Sequence, residues 1–237
     1  MKTSIKILFK LSGESLSTTG SGVEAKAVKK IAQQLKKVNV KGIALAIVVG
    51  GGNIWRFRDN QSLKNLARVQ SDYLGMSATV FNAAALTAEL LAASVDAAAF
   101  SAIDCPKELA KPYSPAAAKR ILNRGGVVVL AGGTGKPFVT TDTGAAMRAA
   151  ELGVARVLKA TNVDGVYDSD PRKNKKAKLL KELTYTDALK NKLGVMDEKA
   201  FQLLRKAGIE TCVFNFEKAG LFAKAAAGQA VGTIIQE

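Results

Sequence analysis

The sequence predicts an α/β protein, a three-layer αβα sandwich around a mostly parallel central sheet. Three observations carry that prediction. Short unbroken apolar runs, IALAIVV at 43–49 and VVVL at 127–130, have the character of strands buried on both faces. Stretches with apolar residues at helical spacing separate the strands. Glycine-rich turns stand where strands end, at Ser12-Gly13, at Gly50-Gly51-Gly52-Asn53 and through AGGTGKPFVTTD at 131–142.

Taken in order, Ile5 to Leu11 (IKILFKL) reads as the first strand. From Val23 to Val38, the residues Val28, Ile31, Ala32 and Leu35 recur at helical spacing, with Lys29, Lys30, Lys36 and Lys37 outside. The second strand is Ile43 to Val49. A long helical zone from Leu63 to Ser94 precedes a weak strand from Ala97 to Ile103. Pro115 opens a helix that stops at Gly125-Gly126, and VVVL follows as a strand. Thr141 to Leu152 is helical and Ala155 to Lys159 is a strand. Beyond the loop NVDGVYDSDP come helices near Tyr185 to Leu193 and Val195 to Lys206. A strand TCVFNF, a short helix from Lys218 to Ala227 and a last strand TIIQ complete the chain. No linker, repeat or low-complexity tract divides it, so residues 1–237 are expected to form a single domain.

Composition removes several function classes. The chain has no histidine, which excludes a His-based triad, a His-ligated metal and a histidine general base. Cys105 and Cys212 lie far apart with no CxxC spacing, as in a reduced cytoplasmic protein without a disulfide framework or structural zinc. MKTSIKILFKL is interrupted by Lys6 and Lys10 and lacks the unbroken apolar core of a signal peptide. The most apolar region, Tyr73 to Ala88, is bounded by Asp72 and Glu89 and reads as shorter than a membrane span. A soluble protein with no membrane partner is therefore expected. The net charge of +15 favours anionic ligands: nucleic acid, an acidic surface or phosphorylated small molecules.

In open α/β sheets, ligands bind outside the carboxyl ends of the strands, which is where the three glycine-rich turns fall. Backbone amides at such turns and at helix starts hold phosphate oxygens without a specialised side chain. The P-loop pattern is absent. Gly135-Lys136 is followed by Pro137, and Leu130 stands where its first glycine belongs. Lys10 precedes the first turn, Lys159 ends a strand, and Asp142 opens the helix after FVTT. A lone strand-end lysine usually only reaches for solvent. Two at one edge with a carboxylate between them suit phosphoryl transfer, which needs charge neutralisation and alignment more than acid–base chemistry.

KLSGES at 10–15, VVGGGNIWR, SDYLGMSATVFN, GGTGKPFVTTDTGAA, VLKATNVDGVYDSDP and VMDEKAF together resemble the bacterial uridylate (UMP) kinases of the amino acid kinase family. The resemblance covers nearly the whole chain in order. It implies the amino acid kinase fold and transfer of phosphate from ATP to UMP, with an N-terminal part for UMP and a part from about residue 155 for ATP. It assigns catalysis to Lys10, Asp142 and Lys159. On the ATP side it implies Lys10, Leu11, Ser12, Gly13, Gly52, Arg56, Thr161, Asn162, Tyr167 and Asp170. On the UMP side it implies Gly51, Asp72 for the ribose hydroxyls, and the run Thr134, Gly135, Lys136, Pro137, Phe138, Val139, Thr140 and Thr141. Asp197 has a supporting role, and Mg2+ is carried in with ATP, with no metal site of the protein's own. A homohexamer is implied as well. Relatives are often tuned by GTP through basic residues on the long central helix, and here Phe81 to Phe100 has no Arg, Lys or His.

Two other readings stand beside this one. A sibling kinase would act on another small phosphate or carboxylate, for which a ribose-reading Asp72 would be useless. A nucleotide-sensing or nucleic-acid-binding protein would use PRKNKKAKLLK at 171–181, six basic residues without an acid. That run has no aromatic residue to stack on a base and reads more simply as a solvated loop.

Overall fold

Continuous apolar composition puts β2 (Ile43–Val49) at the middle of the sheet with every residue buried, paired in parallel with β1 (Ile5–Leu11), whose apolar run is broken by Lys6 and Lys10. The structure is a computed structural model that describes residues 5–39, 41–60, 63–171, 173–191, 193–218 and 220–237. Residues 1–4, Arg172 of the basic run, Lys192 of the helix expected over 185–193 and Ala219 of that expected over 218–227 lie outside these ranges.

Between the first two strands runs α1 (Ala25–Asn39); α2 (Arg68–Ala92), β3 (Ala97–Ser101) and β4 (Lys111–Pro112) follow β2. Next come α3 (Pro115–Asn123), β5 (Val127–Ala131), α4 (Thr141–Leu152) and β6 (Arg156–Thr161). The remainder holds β7 (Val166–Tyr167), β8 (Leu179–Leu180), β9 (Glu182–Thr184), α5 (Tyr185–Lys190), α6 (Glu198–Ala207), β10 (Glu210–Asn215), α7 (Leu221–Ala226) and β11 (Thr233–Gln236). Among the described residues, nine strands form one sheet in the order β4-β3-β5-β2-β1-β6-β10-β11-β9. Every pair in it is parallel except β10 with β11.

Side chains alternate across a strand, so a strand apolar at every position must be covered on both faces. Phe9 and Leu11 of β1 point to one face, where Ile31 and Leu35 of α1, Val80 and Leu86 of α2 and Phe222 of α7 meet them. Phe9 stacks on Phe222 with ring centroids 4.2 Å apart. Leu8 points the other way, into a core of Leu122 from α3, Ala145 and Ala149 from α4, Tyr185 from α5 and Phe201 from α6. The three-layer prediction is met. Each fully buried Leu or Phe contributes roughly 1.5–3 kcal/mol, and these fix the strand ends that carry the site.

Several boundaries move. The helix expected from Leu63 begins at Arg68, because the Gln70 side chain accepts a hydrogen bond from Ala67 N (3.0 Å) and stops the helix there. At 25 residues it is, by length and composition alone, long enough to cross a membrane, which corrects the shorter apolar estimate; half of its most apolar window is buried in the protein. β6 continues two residues past Lys159. Short strands β4, β7, β8 and β9 have no alternation long enough to be read. Leu179 and Leu180, inside the basic run expected to be a loop, form β8 and pair antiparallel with β7, and Asp168 accepts from Lys178 N beside them (2.9 Å).

Candidate active site

The parallel sheet brings the carboxyl ends of β1, β2, β5 and β6 to one edge. Lys10 of β1 and Lys159 of β6 are register partners on neighbouring strands, so two cations stand side by side. Between them comes Asp142, in the first turn of α4, whose N-terminus Thr140 caps by accepting from Thr143 N (3.0 Å). Asp142 takes Lys10 Nζ on one oxygen at 3.2 Å and Lys159 Nζ on the other at 2.5 Å. A carboxylate at a helix N-terminus is held by the helix dipole as well as by its ion pairs.

Lys159 is only 8% exposed. Burial and the neighbouring Lys10 charge pull its pKa down to about 8, against the opposing pull of Asp142 and Asp197. Two ammonium groups and the N-terminus of α4 converge at this edge, against the carboxylates of Asp142 and Asp197. The arrangement attracts an anion.

Asp197 ties this edge to α6. It caps α6 by accepting from Ala200 N (3.0 Å), and it also accepts from Thr143 Oγ1 (2.7 Å) and from Thr140 Oγ1. Burial pushes its carboxyl up, but these hydrogen bonds outweigh burial and hold the pKa below the ordinary range. Sequence reasoning gives Asp197 a lesser part than the structure does.

The three glycines after β2 are crowded by protein. A Cβ on Gly50 would lie 3.1 Å from Gly13 N, and one on Gly51 only 2.6 Å from Gly75 O in α2. On the partner turn, a Cβ on Gly13 would strike Asn53 Oδ1 and come within 2.8 Å of Gly50 O. The β1 turn, the β2 turn and α2 therefore approach at backbone distance, which no side chain permits. Buried Asn53 and Asn82 lock the junction by pairing their amides, while Asn82 Nδ2 donates to Gly50 O (2.7 Å) and Asn53 Nδ2 to Gly22 O (2.6 Å). Arg56 pairs with Glu14 across the same turns.

A cavity of about 1190 Å3 opens on the β6 side of the lysines. Lys10, Ser12, Lys159, Thr161, Asn162, Tyr167 and Asp170 line it, with apolar wall from Leu193, Val195 and Phe216. On the other side, the loop after β5 is folded by left-handed Gly132, Gly133 and Gly135. Phe138 is left-handed too, with φ 62°, and 66% exposed. A bulky residue in that region marks a site where surrounding structure imposes the conformation. Asp72 of α2 imposes it here: it accepts from Phe138 N (2.8 Å) with one oxygen and from Arg68 Nε (2.8 Å) with the other. Thr134 Oγ1 is buried without a hydrogen-bond partner and lines a second cavity of about 360 Å3.

The amino acid kinase family model matches residues 6–215. The chain belongs to the amino acid kinase family. It is 43% identical over 231 residues to the chloroplastic uridylate kinase PUMPKIN of Arabidopsis thaliana, across 97% of this chain and 68% of that protein. The UMP kinase of Bacillus anthracis superposes with a TM-score of 0.93 at 34% identity, covering 99% of this chain and 97% of that one. The UMP kinase of Ureaplasma parvum gives 0.92 at 34% identity, covering 99% of each chain.

Within this amino acid kinase fold, the predicted residues divide into two groups about the lysine pair. Lys10, Ser12, Thr161, Asn162, Tyr167 and Asp170 share the large cavity; Leu11, Gly13, Gly52 and Arg56 do not line it. Leu11 is a core side chain, Gly13 and Gly52 form the crowded turns, and Arg56 reaches the cavity only through Glu14. Gly51 packs on α2, and Asp72 meets the 134–141 run at Phe138. Lys136, Phe138 and Thr140 are exposed, while Gly135, Pro137, Val139 and Thr141 are half-buried. Sequence reasoning missed Thr143, the Asn53–Asn82 pair and the apolar wall at Leu193, Val195 and Phe216. Only Asp197 had a local signal, an acid immediately before a helix start.

Proposed function

We infer that this chain transfers the γ-phosphoryl group of ATP to UMP, giving UDP and ADP for pyrimidine nucleotide synthesis. One observation carries the inference: two lysines share one carboxylate between a donor-sized cavity and the 134–141 loop, in a chain akin to uridylate kinases. A phosphate oxygen of UMP attacks the γ-phosphorus in line, and the bond to the bridging oxygen breaks, leaving its electrons on ADP. The acceptor is already an anion, so no general base is required. Lys10 and Lys159 neutralise the charge spread over the transferring oxygens, and Asp142 orients both ammonium groups.

In this reading ATP lies along Lys10, Leu11, Ser12, Gly13, Gly52, Arg56, Thr161, Asn162, Tyr167 and Asp170. UMP takes Gly51, Asp72 and the run from Thr134 to Thr141. Mg2+ enters as part of the Mg·ATP substrate. Self-association to a hexamer belongs to the same reading; exposed Tyr73, Leu74, Phe81 and Leu91 of α2 offer one apolar contact face for self-association. Free thiols at Cys105 and Cys212 support a reducing, cytoplasmic compartment. A coupled assay of ADP release with each nucleoside monophosphate, carbamate and acetylglutamate tests the assignment. The specificity constant is expected to be highest with UMP. No turnover with UMP, or a higher constant with another acceptor, overturns it.

A further inference from the structure

Arg148 has no part in the chemistry above, yet it is among the few charged side chains buried in the protein, at 7% exposure. It lies on α4, six residues after Asp142, and its side chain joins the Gly132–Gly135 loop to Glu151 and Tyr113. Its Nη2 donates to Gly133 O (3.0 Å) and its Nη1 to Glu151 Oε2 (2.7 Å). Its guanidinium stacks on Tyr113, 3.8 Å from the ring centroid, and the Tyr113 hydroxyl donates to the same Glu151 oxygen (2.7 Å). Arginine alone among side chains offers a planar fork that stacks and donates at once. The cost of burying it is met by pairing, so removing a partner leaves an unsatisfied charge.

The consequence falls on Thr134. Gly133 O and Thr134 N–H belong to one planar trans peptide and point in opposite directions. A charge-assisted bond to that oxygen therefore fixes the direction of the Thr134 amide as well. The loop is tight on its other side: a Cβ on Gly132 would lie 2.8 Å from Ala102 N, and one on Gly135 2.6 Å from Ala102 O. Gly132 N also donates to Thr79 Oγ1 on α2 (2.7 Å). The Thr134 side-chain oxygen is buried and unpartnered, as a group awaiting a ligand would be, and Thr134 lines the smaller cavity together with Tyr113 and Arg148.

We propose that Arg148, braced by Tyr113 and Glu151, is a positioning residue for the acceptor nucleotide: it clamps the Gly133 carbonyl so that the Thr134 amide and hydroxyl face the bound UMP. This rests on the UMP kinase reading, and the experiment separates the two. Steady-state KM values for UMP and for ATP are measured in the wild type, Arg148→Lys, Tyr113→Phe, Thr134→Val and the Arg148→Lys/Thr134→Val double variant. Arg148→Lys keeps the charge and loses the fork. It is expected to raise KM for UMP about ten-fold while KM for ATP and kcat stay within about three-fold. Tyr113→Phe keeps the ring and the fold, and is expected to move KM for UMP in the same direction by less. Because part of the effect of Arg148 passes through the Thr134 hydroxyl, the double variant is expected to lose less than the product of the two single losses. A wild type that does not phosphorylate UMP sinks the functional reading and this proposal with it. If the wild type uses UMP, an unchanged KM for UMP, a parallel rise in KM for ATP or additive losses in the double variant overturn the role of Arg148 alone. If Arg148→Lys does not fold, Tyr113→Phe decides by the same split.

Discussion

Lys159 carries its charge against burial and against Lys10, and Asp142, with a lesser part from Asp197, favours its charged form. With a pKa of about 8, it is protonated below that pH and loses its charge above it. The specificity constant for ATP is therefore expected to fall as pH rises through about 8, whereas bound phosphates should hold the proton and move the kcat limb to higher pH. Asp142→Asn removes the favourable charge, so its limb should move to lower pH, with kcat reduced on the order of a hundred-fold. A specificity constant flat to pH 9.5 in the wild type would refute the role given to Lys159. Stability carries the opposite sign. The folded pKa lies below the ordinary lysine value, so the unfolded chain binds more protons between the two, and stability from this group rises with pH across that window. Asp72 supplies a second test at this scale. Its carboxylate is held by Arg68 and Phe138 N, a geometry ready to accept ribose hydroxyls without rearranging α2. UMP should be preferred over dUMP by at least about ten-fold, and Asp72→Ala should erase that preference; an unchanged ratio of specificity constants rejects the assignment.

The N-terminus of α4 and that of α6 share one acid, which ties α6 to the sheet edge that carries Lys10 and Lys159. Asp197→Ala removes the cap of α6 and frees Thr140 and Thr143, so a loss of about 1–2 kcal/mol in stability is expected. Because Thr140 and Thr143 flank Asp142, kcat should fall as well, whereas a cap with no catalytic consequence would leave kcat at the wild-type value. Thermal unfolding and turnover measured on the same preparation distinguish these. The contrast between what was legible in the sequence and what was not follows from the same geometry. β2 and β5 announce themselves because a doubly covered strand must be apolar throughout, and the glycine turns after them point to the same sheet edge. Asp197 and Thr143 are 54 residues apart, Lys10 and Lys159 become neighbours only through strand register, and Asn53 meets Asn82 across two elements. No local period encodes such meetings. Arg148 is the sharpest case: in GAAMRAA an arginine reads as the solvent side of a helix, and only Tyr113 and Glu151 make it an interior residue. β7 and β8 hide for another reason, since two-residue strands flanking a lysine-rich turn offer no alternation to detect.

At the scale of the whole molecule, α2 leaves apolar side chains uncovered among the described residues. Leu74, Phe81, Ala85 and Ala88 of α2 follow one another at helical spacing on its outer side, and no charged residue occurs between Asp72 and Glu89. Phe81 is 60% exposed and Leu74 42%, with Tyr73 and Leu91 exposed beside them. Scattered exposed apolar side chains are ordinary, but a contiguous strip on a 25-residue helix is the form an interface takes. A chain with a net charge of +15 repels its own copies, so any self-association must be carried by such an uncharged strip and should strengthen as salt screens the repulsion. Small residues at positions 84, 85 and 88 let a second copy of α2 approach closely, and a two-fold arrangement would set Phe81 near its own equivalent. Phe81→Lys would then bring like charges together at the contact. Sedimentation velocity is expected to show an oligomer for the wild type, smaller species for Phe81→Lys, and partial recovery of that variant in high salt. The Phe81→Lys chain should keep the far-ultraviolet spectrum of the wild type, because the side chain it replaces is largely solvent-exposed in the single chain. A wild type that sediments as a monomer, or a Phe81→Lys variant with undiminished size, would show that α2 does not carry assembly.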